Sequence, residues 1–436
     1  MEEKFDKKPQ GDKRPSAKRA PIFKSTENGP DVPDFVQKHK TAFSGVEVIN
    51  EKAEQSTGGN LKDHDIKKPE KKVSLPPKLP ARPKKAIVGC IIRRTLLCIG
   101  AFLLFVILSV YVLAFSIAHG PSETIRNTLV MSALQASATK WAPGLFLSQK
   151  TVDEIVEESK KIDVDIIDVD DYEADENEWD DAIDGMKLIY DNGTKFKAYV
   201  LLIKDPSRVF VGPSFDYSTA SYGKRIFDAC QAEGAVAAIN GGEYPDNGFG
   251  TGSRPMGITY SKGKLVWNDA NNRTFMGFDN DNKLIVKEGL TKAEGEALGI
   301  RDGVSFKTGN LLIENKDGQV TFHYNSGDDG VAQRTSIGQR ADGTVIMIVT
   351  DGRTASSIGA TRNEIIDMMK KYGAVTAGML DGGSSSMLYY NNYYEKYGID
   401  TSRLDQWQLK GLVNKYKAFT NPRYMPTFFM VKEEAK

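Results

Sequence analysis

The sequence predicts an α+β architecture. A single mixed extracellular domain of short strands and a few helices is preceded by one transmembrane helix and a disordered N-terminal tail. Three observations carry that expectation. Residues 1–85 are basic, rich in proline and poor in apolar side chains. An uncharged apolar run follows from Thr95 to Ala118. From Gly185 onward, short β-type runs alternate with Gly, Asp and Asn, and helical patterns are few.

The tail reads GDKRPSAKRAP and LPPKLPARPKK, with too little apolar surface to offset the entropy of ordering. Its lysines and arginines suit the anionic inner surface of a plasma membrane. The next segment, residues 86–118, is a basic flank followed by TLLCIGAFLLFVILSVYVLAFSIA, long enough to cross a hydrocarbon core of about 20 residues. Arg93 and Arg94 stand before it, so the positive-inside rule puts residues 1–94 in the cytoplasm and 119–436 outside. Of three cysteines, Cys90, Cys98 and Cys230, only the last lies beyond the span. An exported domain without a disulfide framework fits a bacterial plasma membrane and a single pass. The net formal charge is zero, which gives no indication of a nucleic-acid partner.

Residues 119–184 read as a juxtamembrane and acidic connector. Ser148 is placed to cap a helix over TVDEIVEESKK, with Ile155 and Val156 on its apolar side. The stretch IDVDIIDVDDYEADENEWDDAIDG lacks the glycine and terminal Glu of a calcium loop and reads as solvated. The domain over 185–436 then offers strands in KAYVLLI, AVAAIN, GITY, KLVW, TFMGF, KLIV, TVIMIVT and TFFMV. Helices are expected in ASYGKRIFDACQAEG and RNEIIDMMKKYG, the second ending at Gly373. Cys230 falls in the first of these and reads as a buried structural thiol.

Three segments share one pattern, an apolar strand that delivers Asn or Asp and then Gly. They are AVAAINGGEYPDNGFGTG, TVIMIVTDGR and AVTAGMLDGGSSSML. Rigid strands ending in polar groups and permissive turns are a common way to build an active site. Each alone is equally an ordinary turn. The phosphate loop and the dinucleotide fingerprint are both absent. Of four histidines, only His323 lies in the domain, which excludes a multi-histidine zinc site. Catalysis must rest mainly on carboxylates and arginines.

These segments, together with DGMKLIY, KDPSRVFVG, RPMGITYSKGKLV, QRTSIGQRADG and PRYMPTFFMV, resemble the phosphodiester glycosidase family in this order, over roughly residues 184–432. Its bacterial members are exopolysaccharide-biosynthesis-like. The resemblance implies an α+β fold and a glycosidase of the N-acetylglucosamine-1-phosphodiester α-N-acetylglucosaminidase type, hydrolysing a sugar-1-phosphodiester. Carried over by position, it implies Asp351 and Asp381 as catalytic carboxylates. It implies a substrate-binding set of Asn240, Gly241, Gly242, Glu243, Arg334, Arg353, Gly382, Gly383, Ser384, Ser385 and Arg423. One departure is Glu243 followed by Tyr244, where family members commonly carry a small or aromatic residue.

A phosphodiester oxygen leaves as a stable anion, so a strong general acid is not required. Arginine matches phosphate with its planar fork. Arg334 and Arg353, with Arg423, would hold phosphate; Asp351 or Asp381 would act as base or nucleophile; Asn240 would bind a sugar hydroxyl. Alternatively, Arg334 and Arg423 pair with the two aspartates as internal salt bridges. No cofactor is implied, and a divalent metal beside Asp351 or Asp381 stays open. The expected partners are a phosphate-containing glycan and, through residues 95–118, the plasma membrane. A non-catalytic binder or biosynthesis accessory protein for phosphate-containing surface glycopolymers is the alternative function.

Overall fold

The computed structural model of the chain describes residues 84–135, 139–168, 177–213, 217–246, 251–269, 272–326, 329–354, 356–416 and 421–434. The tail lies outside them as far as residue 83, and so do residues 169–176 of the acidic stretch.

Helix α1 spans Lys84–Ala118. Within it, Ile91–Ala118 is long and apolar enough to cross a membrane. Leu103, Leu104, Phe105 and Ile107 stand exposed, as no helix in water would favour. α2 (Glu123–Leu134) and α3 (Gln149–Ser159) follow. They meet through Val130, Val152 and Ile155. The expected cap is present: Ser148 Oγ accepts the Thr151 amide at 3.2 Å.

The rest is built from three antiparallel sheets. In one, eight strands run in the order β1-β12-β11-β15-β13-β14-β3-β2. They are β1 (Ile162–Asp168), β2 (Met186–Tyr190), β3 (Ala198–Ile203), β11 (Leu311–Lys316), β12 (Gln319–Asn325), β13 (Thr335–Arg340), β14 (Val345–Thr350) and β15 (Ala374–Met379). A four-stranded sheet runs β16-β5-β17-β4, from Leu388–Tyr390, Ala235–Asn240, Phe428–Lys432 and Val209–Gly212. A five-stranded sheet runs β7-β6-β10-β8-β9, from Lys264–Asn268, Ile258–Ser261, Ile300–Phe306, Thr274–Asp279 and Leu284–Glu288.

The main core lies between the eight-stranded sheet and the two smaller ones. Leu201 and Met347 face Ile239, Phe429, Phe278 and Val304 there, all fully buried. On the outer face of the large sheet, α6 (Arg362–Lys371) buries Ile365, Ile366 and Met369 against Val200 and Ile348. α4 (Ile226–Glu233) covers the four-stranded sheet, with Cys230 against Phe210 and Met430. Burial pushes the Cys230 thiol pKa up, as an inert thiol requires. α5 (Lys292–Ala297) flanks the five-stranded sheet.

The acidic stretch departs from expectation at two points. Ile162–Asp168 is a strand, paired antiparallel along its length with β12 from Ile162↔Asn325 to Asp168↔Gln319. Glu178 is buried and forms a two-oxygen ion pair with Arg340, at 2.6 and 2.7 Å. High acidity hid both: alternating Ile, Val and Asp is compatible with a strand edge, and one carboxylate had a buried partner that composition cannot reveal.

Candidate active site

Strand alternation delivers Asp351. Val345, Met347 and Val349 point into the main core, so Asp351, the next residue in that series, continues the same face. Tyr199 lies opposite Val349 on β3, which makes it a diagonal neighbour of Asp351. Its hydroxyl donates to Asp351 Oδ2 at 2.8 Å. Asp351 Oδ1 is buried with no hydrogen-bond partner among the described residues. Burial raises the Asp351 pKa, opposed by the Tyr199 hydrogen bond, the Lys197 charge and weaker hydrogen bonding from the Lys415 backbone and the Asn414 side chain, which face the same carboxyl.

Asp351 lines a cavity of about 370 Å³ with Lys197, Tyr199, Gln333, Ser384 and Ser386, closed further by Asn414, Lys415 and Tyr416. Two more buried polar atoms of its lining, Gln333 Oε1 and Ser386 Oγ, have no partner among the described residues. Three such atoms around one cavity are unusual, because buried polar groups are nearly always bonded. No histidine lines it. His323 sits on β12 beside Glu314, at 3.7 Å.

Arg353 has φ +57°, a left-handed backbone that a long side chain adopts only at a cost of about 1–2 kcal/mol. The residue is exposed, and its guanidinium has no hydrogen bond or ion pair among the described residues. One of its nitrogens stands 3.7 Å from where a side chain on Gly383 would begin. Gly383 is itself left-handed, at φ +65°, so the turn leaves this approach to Arg353 open.

The Asn-Gly-Gly and Asp-Gly-Gly turns are fastened together. Asn240 is fully buried, and its amide donates to the Asp381 carbonyl at 2.6 Å. Its Oδ1 accepts from Thr335 Oγ1 at 2.8 Å and from the Met387 amide at 3.1 Å. Every polar group of Asn240 is thus engaged with protein, which makes it a brace. Gly241 and Gly242 pass so close to Thr427 and Ser305 that a side chain on either would collide with them.

Asp381 occupies a second neighbourhood, outside the lining of the Asp351 cavity. Burial of its carboxyl pushes its pKa up to about 6, with Ser385, Lys307 and Arg423 pulling it down and Glu243 pushing it up. Ser385 and Tyr244 hydroxyls are 3.2 Å apart, and Tyr244 accepts from Arg423 at 3.1 Å. Arg423 pairs with Asp246 at 2.6 Å, and Glu243 pairs with Arg273 at 2.9 Å. Arg334 points elsewhere. It pairs with Asp329 at 2.8 Å and donates to the Ala360 and Gly330 carbonyls. Both arginines therefore have carboxylate partners, though neither partner is Asp351 or Asp381.

Sequence reading missed Tyr199, Lys197, Gln333, Ser386, Asn414 and Tyr416. The strand register carried a signal for Tyr199, because a hairpin of KAYVLLI against TVIMIVT sets it beside Asp351. Among the described residues no three His, Cys, Asp or Glu side chains cluster as metal ligands.

Comparison with known proteins bears on what this arrangement is for. Residues 233–432 match the phosphodiester glycosidase family. That span contains both turns, both aspartates and Arg353. A Bacillus subtilis (strain 168) SPbeta prophage-derived uncharacterized protein, YomE, is 23% identical over 212 residues, 45% of this chain and 31% of its own length. The Mus musculus N-acetylglucosamine-1-phosphodiester alpha-N-acetylglucosaminidase is 25% identical over 127 residues, 29% of this chain and 24% of its own. The chain thus spans less than a third of either relative. Among solved structures, the catalytic domain of the zebrafish N-acetylglucosamine-1-phosphodiester alpha-N-acetylglucosaminidase aligns with TM-score 0.42 and 16% identity, over 62% of this chain and 83% of that one. A putative exported protein of Burkholderia pseudomallei K96243 aligns with TM-score 0.37 and 15% identity, over 56% and 75%. The family match covers residues 233–432, somewhat less than half of the chain.

Proposed function

We propose that the chain is a membrane-anchored hydrolase that cleaves the glycosidic bond of sugar-1-phosphodiesters in cell-envelope or exopolysaccharide glycopolymers, outside a bacterial plasma membrane. The observation that carries the reading is the cavity beside Asp351. An unpartnered carboxylate oxygen, two further unpartnered buried polar atoms and Lys415, all within the matched span, line one space with Lys197, the residue before β3.

Asp351 serves the anomeric carbon, as base for water or as nucleophile. Tyr199 holds its Oδ2 and leaves Oδ1 free for the reaction. Arg353, unpaired and held in a strained conformation, is the phosphate clamp, with Lys197 and Lys415 adding positive charge. Arg334 is committed to Asp329 and supports the loop instead. Asp381, in the second turn itself, holds that turn through Ser385. Water adds to the sugar and the phosphomonoester leaves with its bridging oxygen. Charge on that oxygen is stabilised by the cations, so no strong acid is needed.

The test is hydrolysis of an N-acetylglucosamine-1-phosphodiester by the full chain in oxygen-18 water. Label on the sugar, lost in Asp351→Asn, supports carbon–oxygen cleavage. Label on the phosphate means phosphorus–oxygen cleavage and overturns the mechanism. Saturable binding without product favours the non-catalytic binder.

A further inference from the structure

We propose that α2 and the turn Trp141–Phe146 form a collar that lies in the headgroup region of the bilayer crossed by α1, with phospholipid as its partner. The proposal rests on α1 spanning a membrane.

The first argument is length. Ile91–Ala118 has 28 residues, or about 42 Å of helix at 1.5 Å per residue. The hydrocarbon core is only about 30 Å thick. Roughly two turns of α1 must therefore lie in the two interfaces together, about one of them at the Arg93–Arg94 end, unless the helix tilts strongly.

The second is where the chain goes next. After α2 it folds back along α1 instead of leading away. The Phe146 ring packs 5.3 Å from Tyr111, and the Phe146 carbonyl meets His119 Nε2 at 3.1 Å. Tyr111 lies about two turns before the end of α1.

The third is the surface that results. α2 is apolar on two sides. Val130 packs on α3, whereas Ile125 and Leu129, one turn apart, are 54% and 49% exposed. Trp141 is 65% exposed and Leu145 58%. Leu129 also lines an apolar cleft with Ala114, Ile117 and Phe146. The open face of α2 thus meets the exposed surface of α1 across this cleft, with Arg126 at its edge. Tryptophan is enriched at this depth of a membrane. The nearby charges, Glu123 paired with Arg126 at 3.6 Å and an exposed Lys140, suit headgroups.

The experiment reconstitutes the full chain in phosphatidylcholine–phosphatidylglycerol vesicles, with and without lipid brominated near the headgroup end of its acyl chains. Bromolipid should quench tryptophan emission, and Trp141→Phe should remove most of that quenching, since Trp179, Trp267 and Trp407 belong to the folded domain. Leu129→Lys with Leu145→Lys should reduce it with Trp141 in place. Alkaline extraction is run on the same samples. Chain retained in the membrane with no Trp141-dependent quenching overturns the collar and leaves α1 standing. Chain released by alkali overturns both. Trp141 shielded from soluble acrylamide but not quenched by bromolipid means a second copy covers the face, which also overturns it.

Discussion

At the scale of single residues, the site is defined by what its groups lack. Asp351 keeps one oxygen unbonded while Tyr199 holds the other. Asp351→Asn is expected to lower kcat by about 10²–10⁴-fold with the melting temperature unchanged or higher, measured by single-turnover hydrolysis and thermal unfolding. Arg353 sets stability against function. Arg353→Gly should raise unfolding free energy by roughly 1 kcal/mol, because glycine tolerates φ +57°, and should lower kcat/KM. A variant that loses stability would mean the side chain is structural. Asp381 gives a pH signature. Its folded pKa, about 6, lies above the ordinary 3.8, so the native state holds the proton more tightly than the unfolded chain. Its contribution to stability is full below pH 3.8 and is lost as pH rises to about 6. Asp381→Asn escapes that loss. Its melting temperature relative to the parent should climb as pH rises from 3.8 to about 6 and then level off; a flat difference would mean a solvated carboxyl.

At the scale of elements, some parts were readable and others were not. KAYVLLI, AVAAIN and TVIMIVT were legible because each is an unbroken apolar run, buried on both faces as β3, β5 and β14. Their polar endings pointed to the turns for the same reason. β1 was not legible. In its alternation of Ile, Val and Asp, Val164 and Ile166 remain exposed, and its strand character comes from pairing with β12. Glu178 escaped notice because its partner Arg340 lies far along the chain. Glu178→Ala removes the carboxylate from a buried arginine that still donates to the Tyr372 carbonyl, and should cost about 3 kcal/mol in chemical unfolding. Tyr199, Gln333 and Ser386 share the difficulty: ordinary residues in sequence, they become a site only through strand register and turn packing.

At the scale of the whole molecule, the segment after α1 is more than a spacer. Ser132 Oγ accepts the Val331 amide at 3.0 Å, and the Gln135 side chain donates to the Asp329 carbonyl. Asp329 in turn holds Arg334, whose preceding residue, Gln333, lines the cavity. The helical segment after α1 therefore braces one wall of the candidate site. A truncation beginning at residue 185 removes that brace together with β1 and Glu178. Compared with one beginning at residue 120, it should unfold at lower temperature and lose turnover, assayed on the same phosphodiester. Equal activity would show that the sheet alone sets the wall.

The left-handed arginine has an evolutionary corollary. In the proposed role of Arg353 as phosphate clamp, selection for stability and selection for turnover would pull position 353 in opposite directions. A copy of this chain released from its catalytic task would gain by drifting to glycine there, with little else needing to change. Glycine at that position in a descendant, with the Asp351 strand intact, would then mark a lineage that kept the fold and abandoned the reaction.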